Sequence, residues 1–360
     1  MKKIGIVTLN DNYNYGNRLQ NYAVQEFLLE HFQDIDVETI RNFPITNKKC
    51  GRLENIIRII RRNGFEFKRY LKSDKKRLKN FRVFNKNIKY SKKIFSWMHT
   101  DWFNKFDYFL VGSDQVWNPN YRMSDLELLK FSKKNKNIAF SASLAVDEIP
   151  ENKIQRAKDG FNNFKYISVR ENRGKEIIES LTGRNDIEVI LDPTMLIDSK
   201  KWSNLSKKSK IIAENQKYIL NYFLGEIPKE WNNEISRIAK ENNCKVINIL
   251  DKNDAYYQCG PEEFLYLEKN AFLVCTDSFH SSVFSIIFNT PFIVFNRKQK
   301  KIKSMNSRID TLLNKFELEN RRFEGKIEDY ILDRNFSNVE KILSVERERA
   351  KQFLHKALKY

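Results

Sequence analysis

Short, wholly apolar runs alternate with amphipathic stretches along most of the chain, a pattern that predicts buried parallel strands connected by helices. Lys3 to Leu9 reads as the first strand, and Asn10 to Gly16 as a loop of asparagines and tyrosines. Asn17 opens a helix with Leu19, Tyr22, Ala23, Phe27 and Leu28 on its inner side, and Val37 to Ile40 forms a second strand. Further strands are expected at Asp107 to Gly112, Ile138 to Ser143, Tyr166 to Val169 and Glu188 to Leu191, with a helix over Ile149 to Phe164. Ser199 to Gln216 is polar, lysine-rich and weakly periodic, which places a join between domains near it. Alternation then resumes: strands at Tyr218 to Leu224 and Lys245 to Leu250, and helices at Pro228 to Asn242, Pro261 to Asn270, Ile309 to Lys315 and Asn338 to Leu358. The architecture implied is α/β: two doubly wound, Rossmann-like domains facing a cleft. The expected division is 1–200 with a basic helical insertion at about 52–105, then 201–335, then a last helix over 336–360 that bridges the domains or packs on them.

The densest signal lies between Ala271 and Phe295. Phe272 to Cys275 is an apolar strand, Thr276 to Ser278 a polar turn, and Val283, Phe284, Ile286, Ile287 and Phe288 build a short buried helix that Pro291 ends. With a strand from Phe292 to Phe295 this is a βαβ unit, in which the helix start opens on the ligand crevice and favours an anion. Asp277 or Ser278 is placed to cap that helix. His280, in its first turn, can donate a proton to a bound oxyanion or its leaving group; the alternative is that it only caps or packs.

Composition narrows the possibilities. A chain of 360 residues with 41% hydrophobic and 13% aromatic content is not disordered and is long enough for two cores. No apolar run approaches the roughly 20 residues needed to span a bilayer, and the start lacks a signal-peptide cleavage region, so a cytoplasmic protein is expected. The four cysteines, Cys50, Cys244, Cys259 and Cys275, are scattered, and with four histidines they suggest no metal site. The formal charge is +19, and Arg52 to Lys93 holds sixteen Lys or Arg against three acids. Nucleic acid, an anionic membrane or a phosphorylated substrate would each be drawn to such a surface, unless it is only a solvated helical face. No nucleic-acid reading motif accompanies it. Ile56, Ile60, Phe65, Phe67 and Tyr70 interleave with Arg58, Arg61, Arg62, Lys68 and Arg69, which suits salt-sensitive, peripheral binding to the inner face of a membrane.

Five stretches together resemble the polysaccharide pyruvyl transferases over nearly the whole chain. They are Gly16 to Ala23, Val111 to Asn118 (Val-Gly-Ser-Asp-Gln-Val-Trp-Asn), Ser168 to Glu171 (Ser-Val-Arg-Glu), Asp192 to Leu196 and Pro261 to Phe295. The resemblance implies a GT-B-like fold and no cofactor beyond the co-substrate phosphoenolpyruvate. It implies transfer of a carboxyethylidene group to two hydroxyls of a saccharide or lipid-linked oligosaccharide, giving a cyclic ketal, as in capsule or exopolysaccharide synthesis. It assigns the donor arginine to Arg170 and the catalytic histidine to His280; a surface ion pair with Glu171 is the plainer role for Arg170. Ser278 stands where better-understood members have an arginine. Either Arg297, Lys298 or Arg308 supplies that charge, or the donor differs. Asn17, Asp277 and Ser278 complete the expected donor set. On the acceptor side Ser113, Gln115 and Trp117 are the candidates, with Asp114 as base, although Asp114 also suits a turn and Trp117 a core. The rival reading is a glycosyltransferase using a sugar nucleotide in the same kind of cleft.

Overall fold

A computed structural model of the chain describes residues 1–9, 14–43, 67–95, 100–120, 123–209, 216–298, 307–334 and 336–359. Strands β1 (Lys2–Val7), β2 (Ile35–Phe43), β3 (Tyr90–Phe95), β4 (Tyr108–Val111), β5 (Asn137–Ala142), β6 (Tyr166–Val169) and β7 (Glu188–Val189) form one parallel sheet, ordered β3-β2-β1-β4-β5-β6-β7. Strands β8 (Tyr218–Tyr222), β9 (Lys245–Asn248), β10 (Leu273–Thr276) and β11 (Phe292–Val294) form a second parallel sheet, ordered β11-β10-β8-β9. Every residue of β8 and of β10 is buried, as in strands that helices cover on both faces, the polar Asn221 of β8 included. Each sheet reverses its winding once, between β1 and β4 and between β8 and β10. Ligands of doubly wound sheets bind outside the carboxyl ends of the strands at such a reversal, so two points in the molecule are marked in advance.

Helix α1 (Tyr15–His31) begins earlier than the expected Asn17 because Asn14 caps it, its side-chain oxygen accepting from Asn17 N at 3.1 Å. The basic segment is not a detached insertion. Helix α2 (Phe67–Phe84) lies against the other half of the molecule, where Arg77 Nη1 donates to Tyr257 O and Asn80 Nδ2 to Gln258 O, each at 2.8 Å. Strand β3 follows it and extends the first sheet at its edge, where no continuous apolar run is needed to mark a strand. Arg58, Arg61, Arg62, Ile56, Ile60 and Phe65 lie outside the described residues, as do the side chains of Phe67, Lys68, Arg69 and Tyr70. No described helix is long and apolar enough to cross a membrane.

Next come α3 (Ile154–Asn162) and α4 (Asn172–Thr182), the latter unforeseen because it buries only Gly174, Ile177 and Ile178. After α5 (Pro193–Leu196), helix α6 (Ser199–Ser206) occupies the first half of the weakly periodic stretch near which the join between domains is expected. Asp198 caps it through Lys200 N at 2.7 Å, and Trp202 anchors it, its indole donating to Thr194 O at 2.9 Å and packing edge-on to Phe284. Then follow α7 (Lys229–Glu241), α8 (Pro261–Asn270), α9 (Phe279–Phe288), α10 (Ser307–Phe316) and α11 (Val339–Leu358). Helix α11 returns to the first sheet: Phe353 stacks on Phe140, and Lys2 Nζ donates to Leu358 O at 2.9 Å. One apolar core containing Ile4, Leu19, Phe264, Phe284 and Leu354 runs between the two sheets, and separate cores fill their outer faces.

Within the shared core, Glu268 of α8 is fully buried against α9, where Ser281 donates to its Oε1 at 2.5 Å and Ser285 to its Oε2 at 3.3 Å. Burial pushes its pKa up to about 8, the two serine hydrogen bonds only partly opposing this. The folded protein therefore holds a proton that the unfolded chain releases at ordinary carboxylate pH. The contribution of Glu268 to stability is full below about pH 4.5 and is lost as the pH rises through about 8. In thermal melts from pH 5 to 8.5, Glu268→Gln is expected to flatten that decline; parallel curves for the two proteins would contradict it.

Candidate active site

The carboxyl ends of the strands at the two reversals face each other, and between them lies a cleft of about 330 Å³. Its walls from the first half are Leu9 after β1, Asn14 and Asn17 of α1, and Asp114 and Gln115 after β4. From the second half come Tyr222 and Leu224 at the end of β8, Ser278, Phe279 and His280 at the start of α9, Arg297 after β11, and Arg308 of α10.

Helix α9 begins at Phe279 with Ser278 as its cap residue, yet the serine side chain makes no capping bond. The first-turn N–H groups therefore have no side-chain acceptor at the helix end that borders the cleft. His280 is buried, with Nε2 3.6 Å from Asp192 Oδ2, beyond hydrogen-bond length but within ion-pair range. Its ring presses on the first turn of α1: a Cβ placed on Gly16 would lie 2.1 Å from His280 Nδ1. Only glycine permits that approach.

Asp192, absent from the expected set, sits at the centre. It is fully buried at the start of α5, where Oδ1 accepts from Thr194 N at 2.9 Å. Its Oδ2 meets Arg170 Nη2 at 3.0 Å and the Ser113 hydroxyl at 3.2 Å. Burial alone would raise its pKa, but the Arg170 charge and His280 outweigh this and hold the carboxyl well below the usual range. The available signal was the Asp-Pro pair at a strand end, a cap followed by proline in the first helical position.

Arg170 is buried and forms no pair with Glu171, whose Oε1 instead accepts from Leu144 N at 2.9 Å and Ala145 N at 3.0 Å. Besides Asp192 it approaches Asp114 Oδ1 at 3.8 Å, and its guanidinium lies 4.6 Å from the centre of the Phe279 ring, behind the cleft wall. Asp114 has φ of 67°, a left-handed conformation that aspartate tolerates better than most residues. Asn17 Nδ2 donates to its Oδ2, and Gln115 N donates to its Oδ1 at 2.8 Å.

Arg308 is buried and has no carboxylate partner among the described residues; its Nε lacks any hydrogen bond. With the Gln115 amide turned towards α10, its oxygen accepts from both Arg308 Nη atoms at 3.2 Å. Burial, then repulsion from Arg170, lowers the Arg308 pKa to about 10, so the group stays charged at neutral pH. Arg297, by contrast, is neutralised by Asp277 at 3.3 Å, and Lys298 turns towards the Trp231 ring, 6.0 Å away.

Several expectations are thereby corrected. Trp117 is core, its indole donating to Glu127 O at 3.0 Å among Phe161 and Phe164, and no sugar can stack on it. Ser113 is wholly buried and accepts from Arg170 Nη2 at 2.8 Å, so it cannot touch an acceptor. Asp277 is a clamp rather than a donor ligand, its Oδ1 accepting from Leu224 N at 2.7 Å and its Oδ2 from Gly225 N at 2.8 Å. Asn17, Asp114, Gln115, Ser278, His280, Arg297 and Arg308 do converge on the cleft. Asn14, Tyr222, Leu224 and Phe279 join them without having been anticipated. Among the described residues no group of three His, Cys, Asp or Glu side chains is placed to hold a metal ion.

A family model described as polysaccharide pyruvyl transferase matches residues 14–299. Among solved structures, the chain is similar to the UDP-GlcNAc 2-epimerase from Neisseria meningitidis bound to UDP-GlcNAc, with TM-score 0.54, 12% identity and 99% of each chain covered. It is also similar to a putative UDP-N-acetylglucosamine 2-epimerase from Listeria monocytogenes, with TM-score 0.50, 10% identity, 98% of this chain covered and 91% of that one. At such identities the likeness is one of fold, the GT-B arrangement of two Rossmann-like halves around a cleft. No curated protein sequence matches the chain.

The contact between Gly16 and His280 gives a direct test. Gly16→Ala should displace the imidazole from Asp192 while α1 still forms, alanine being the better helix former by about 0.5–1 kcal/mol. A crystal structure of the variant with the ring unmoved would contradict this account of how His280 is held.

Proposed function

Because the chain belongs to the polysaccharide pyruvyl transferase family, we propose that it transfers the carboxyethylidene group of phosphoenolpyruvate to two hydroxyls of a saccharide, forming a cyclic ketal and releasing phosphate. The observation that carries the donor assignment is Arg308, a buried guanidinium without a counter-ion among the described residues, on the wall of the cleft. An unpaired buried charge is costly, and proteins keep one where a ligand of opposite sign completes it. Arg308 thus takes over the charge that Ser278 lacks, assisted by Arg297 and the N-terminus of α9.

In this reading the phosphate and carboxylate of the donor meet Arg308, Arg297 and the α9 amides, while Phe279 and Leu224 face its methylene. His280 protonates that methylene carbon, making a methyl group and leaving a cation at C2 that the enol oxygen stabilises. One sugar hydroxyl adds to C2 and gives its proton to Asp114. The C2–O bond to phosphate then breaks, the phosphate leaving with the bonding pair, and the second hydroxyl closes the ketal as its proton is lost to phosphate.

Thermal scanning with phosphoenolpyruvate and, separately, with nucleotide sugars tests the donor. Stabilisation of about 2.7 kcal/mol is expected with phosphoenolpyruvate at a hundred times its Kd, and none with nucleotide sugars. The reverse result would favour a glycosyltransferase. Arg308→Met should melt higher than the unaltered protein without ligand, since a buried unpaired charge is removed, and should lose the response to phosphoenolpyruvate. A lower melting temperature with that response intact would make Arg308 structural.

A further inference from the structure

We propose that Asp192 is a positioning residue for transfer: its fixed carboxylate sets the orientation and tautomer of His280, with Nε2–H turned inward. The inference rests on the reading of His280 as the acid that protonates the donor. It assigns Arg170 a different part from that of a donor ligand, namely a strut that holds the Asp192 carboxylate in place.

Three facts of geometry support it. Asp192 is fully buried, and its Oδ2 is the only carboxylate oxygen within ion-pair distance of His280 among the described residues. That same oxygen is fixed from two other sides, by Arg170 Nη2 at 3.0 Å and by the Ser113 hydroxyl at 3.2 Å, while Oδ1 is committed to the start of α5. A carboxylate held at both oxygens cannot swing away when the imidazole changes charge. Finally, His280 Nε2 is buried with no hydrogen-bond partner and faces Asp192, whereas Nδ1 lies on the α1 side, beside Gly16.

Charged groups face the imidazole from several elements, and Asp192 is the one that meets Nε2. Arg297 and Arg308 share the cleft wall with His280, from the loop after β11 and from α10, and Arg170 stands behind Phe279 after β6. Asp114 lies across the cleft after β4, already bound to Asn17, and Tyr222 closes the end of β8. Glu268 is behind α9, where it takes the hydroxyls of Ser281 and Ser285. A bound donor adds negative charge that supports protonation, but that charge departs with phosphate. Asp192 stays, and returns the ring to its starting tautomer for the next turnover. Neutral His280 then carries its proton on Nε2, the nitrogen that faces Asp192.

The test has an arm that needs no activity. In protein labelled with 15N-histidine, the His280 signals, identified by their absence from His280→Ala, should show the Nε2–H tautomer at alkaline pH. The Nδ1–H tautomer would overturn the proposal. Asp192→Asn retains the acceptor for Thr194 N, and should let the Nδ1–H tautomer appear in the His280 signals, because the negative charge facing Nε2 is gone. In turnover, kcat should fall at least about tenfold, with KM for phosphoenolpyruvate little changed. A variant that is merely less stable, with the tautomer unmoved, would show that Asp192 only builds the fold. If phosphoenolpyruvate is not turned over at all, the functional reading fails, while the tautomer still decides what Asp192 does to His280.

Discussion

The start of α1 and the start of α9 touch across the cleft with no side chain from α1 between them, and the geometry of the site follows from that contact. Gly16 supplies the missing side chain, and the His280 ring fills the gap. The approach is held by packing on either side of it. Tyr15, next to Gly16, stacks on Phe264 at 4.5 Å, and its hydroxyl donates to Cys259 O at 2.8 Å. Arg77 of α2 lies against the Tyr15 ring and bonds to Tyr257 O, so a helix from the first half grips the second. Two helix starts facing one another would repel through their dipoles and unpaired N–H groups. The neighbouring carboxylates, Asp114 and Asp192, offset that repulsion from the first half.

Charge is distributed unequally among the arginines of the site. Arg170 has Asp192 and Asp114, and Arg297 has Asp277. These pairs set a carboxylate against each guanidinium charge and fix the loops after β6, β10 and β11. Arg308 has a glutamine amide in place of a carboxylate. A neutral acceptor relieves its N–H groups without cancelling its charge, which leaves the cleft positive where an anion is needed.

Much of the fold was legible because strands buried on both faces write themselves as apolar runs. The segment from Phe272 to Phe295 could be read almost residue by residue for that reason. Strand β3, with lysines in its middle, and α6, anchored mainly by Trp202, were hidden: an edge strand and a short helix need few apolar positions. In the site, His280 and Asp114 were legible because each stands in a polar turn between apolar segments. Asp192 was not, since its importance comes from three partners remote in sequence, Ser113, Arg170 and His280. The errors at Ser113 and Trp117 share one cause. A turn at a strand end alternates residues that face the crevice with residues that face the core, and sequence gives no phase for a turn whose central residue is left-handed, as Asp114 is.

The apolar core that runs unbroken from one sheet to the other beneath the cleft has a further consequence, for how water is kept out. Separate domains joined by a thin hinge can close over their substrates; halves that share a core containing Ile4, Phe264 and Phe284 would have to tear it to do so. On the proposed chemistry the cation formed at C2 is vulnerable to any water that shares the cleft. The acceptor itself must then serve as the stopper, its sugar ring displacing solvent from the mouth before His280 gives up its proton. On that chemistry, saccharides that fit the cleft closely would become products, and those that leave room beside them would lose the donor to hydrolysis. Selectivity for the acceptor would in this way be read out as the fate of the donor.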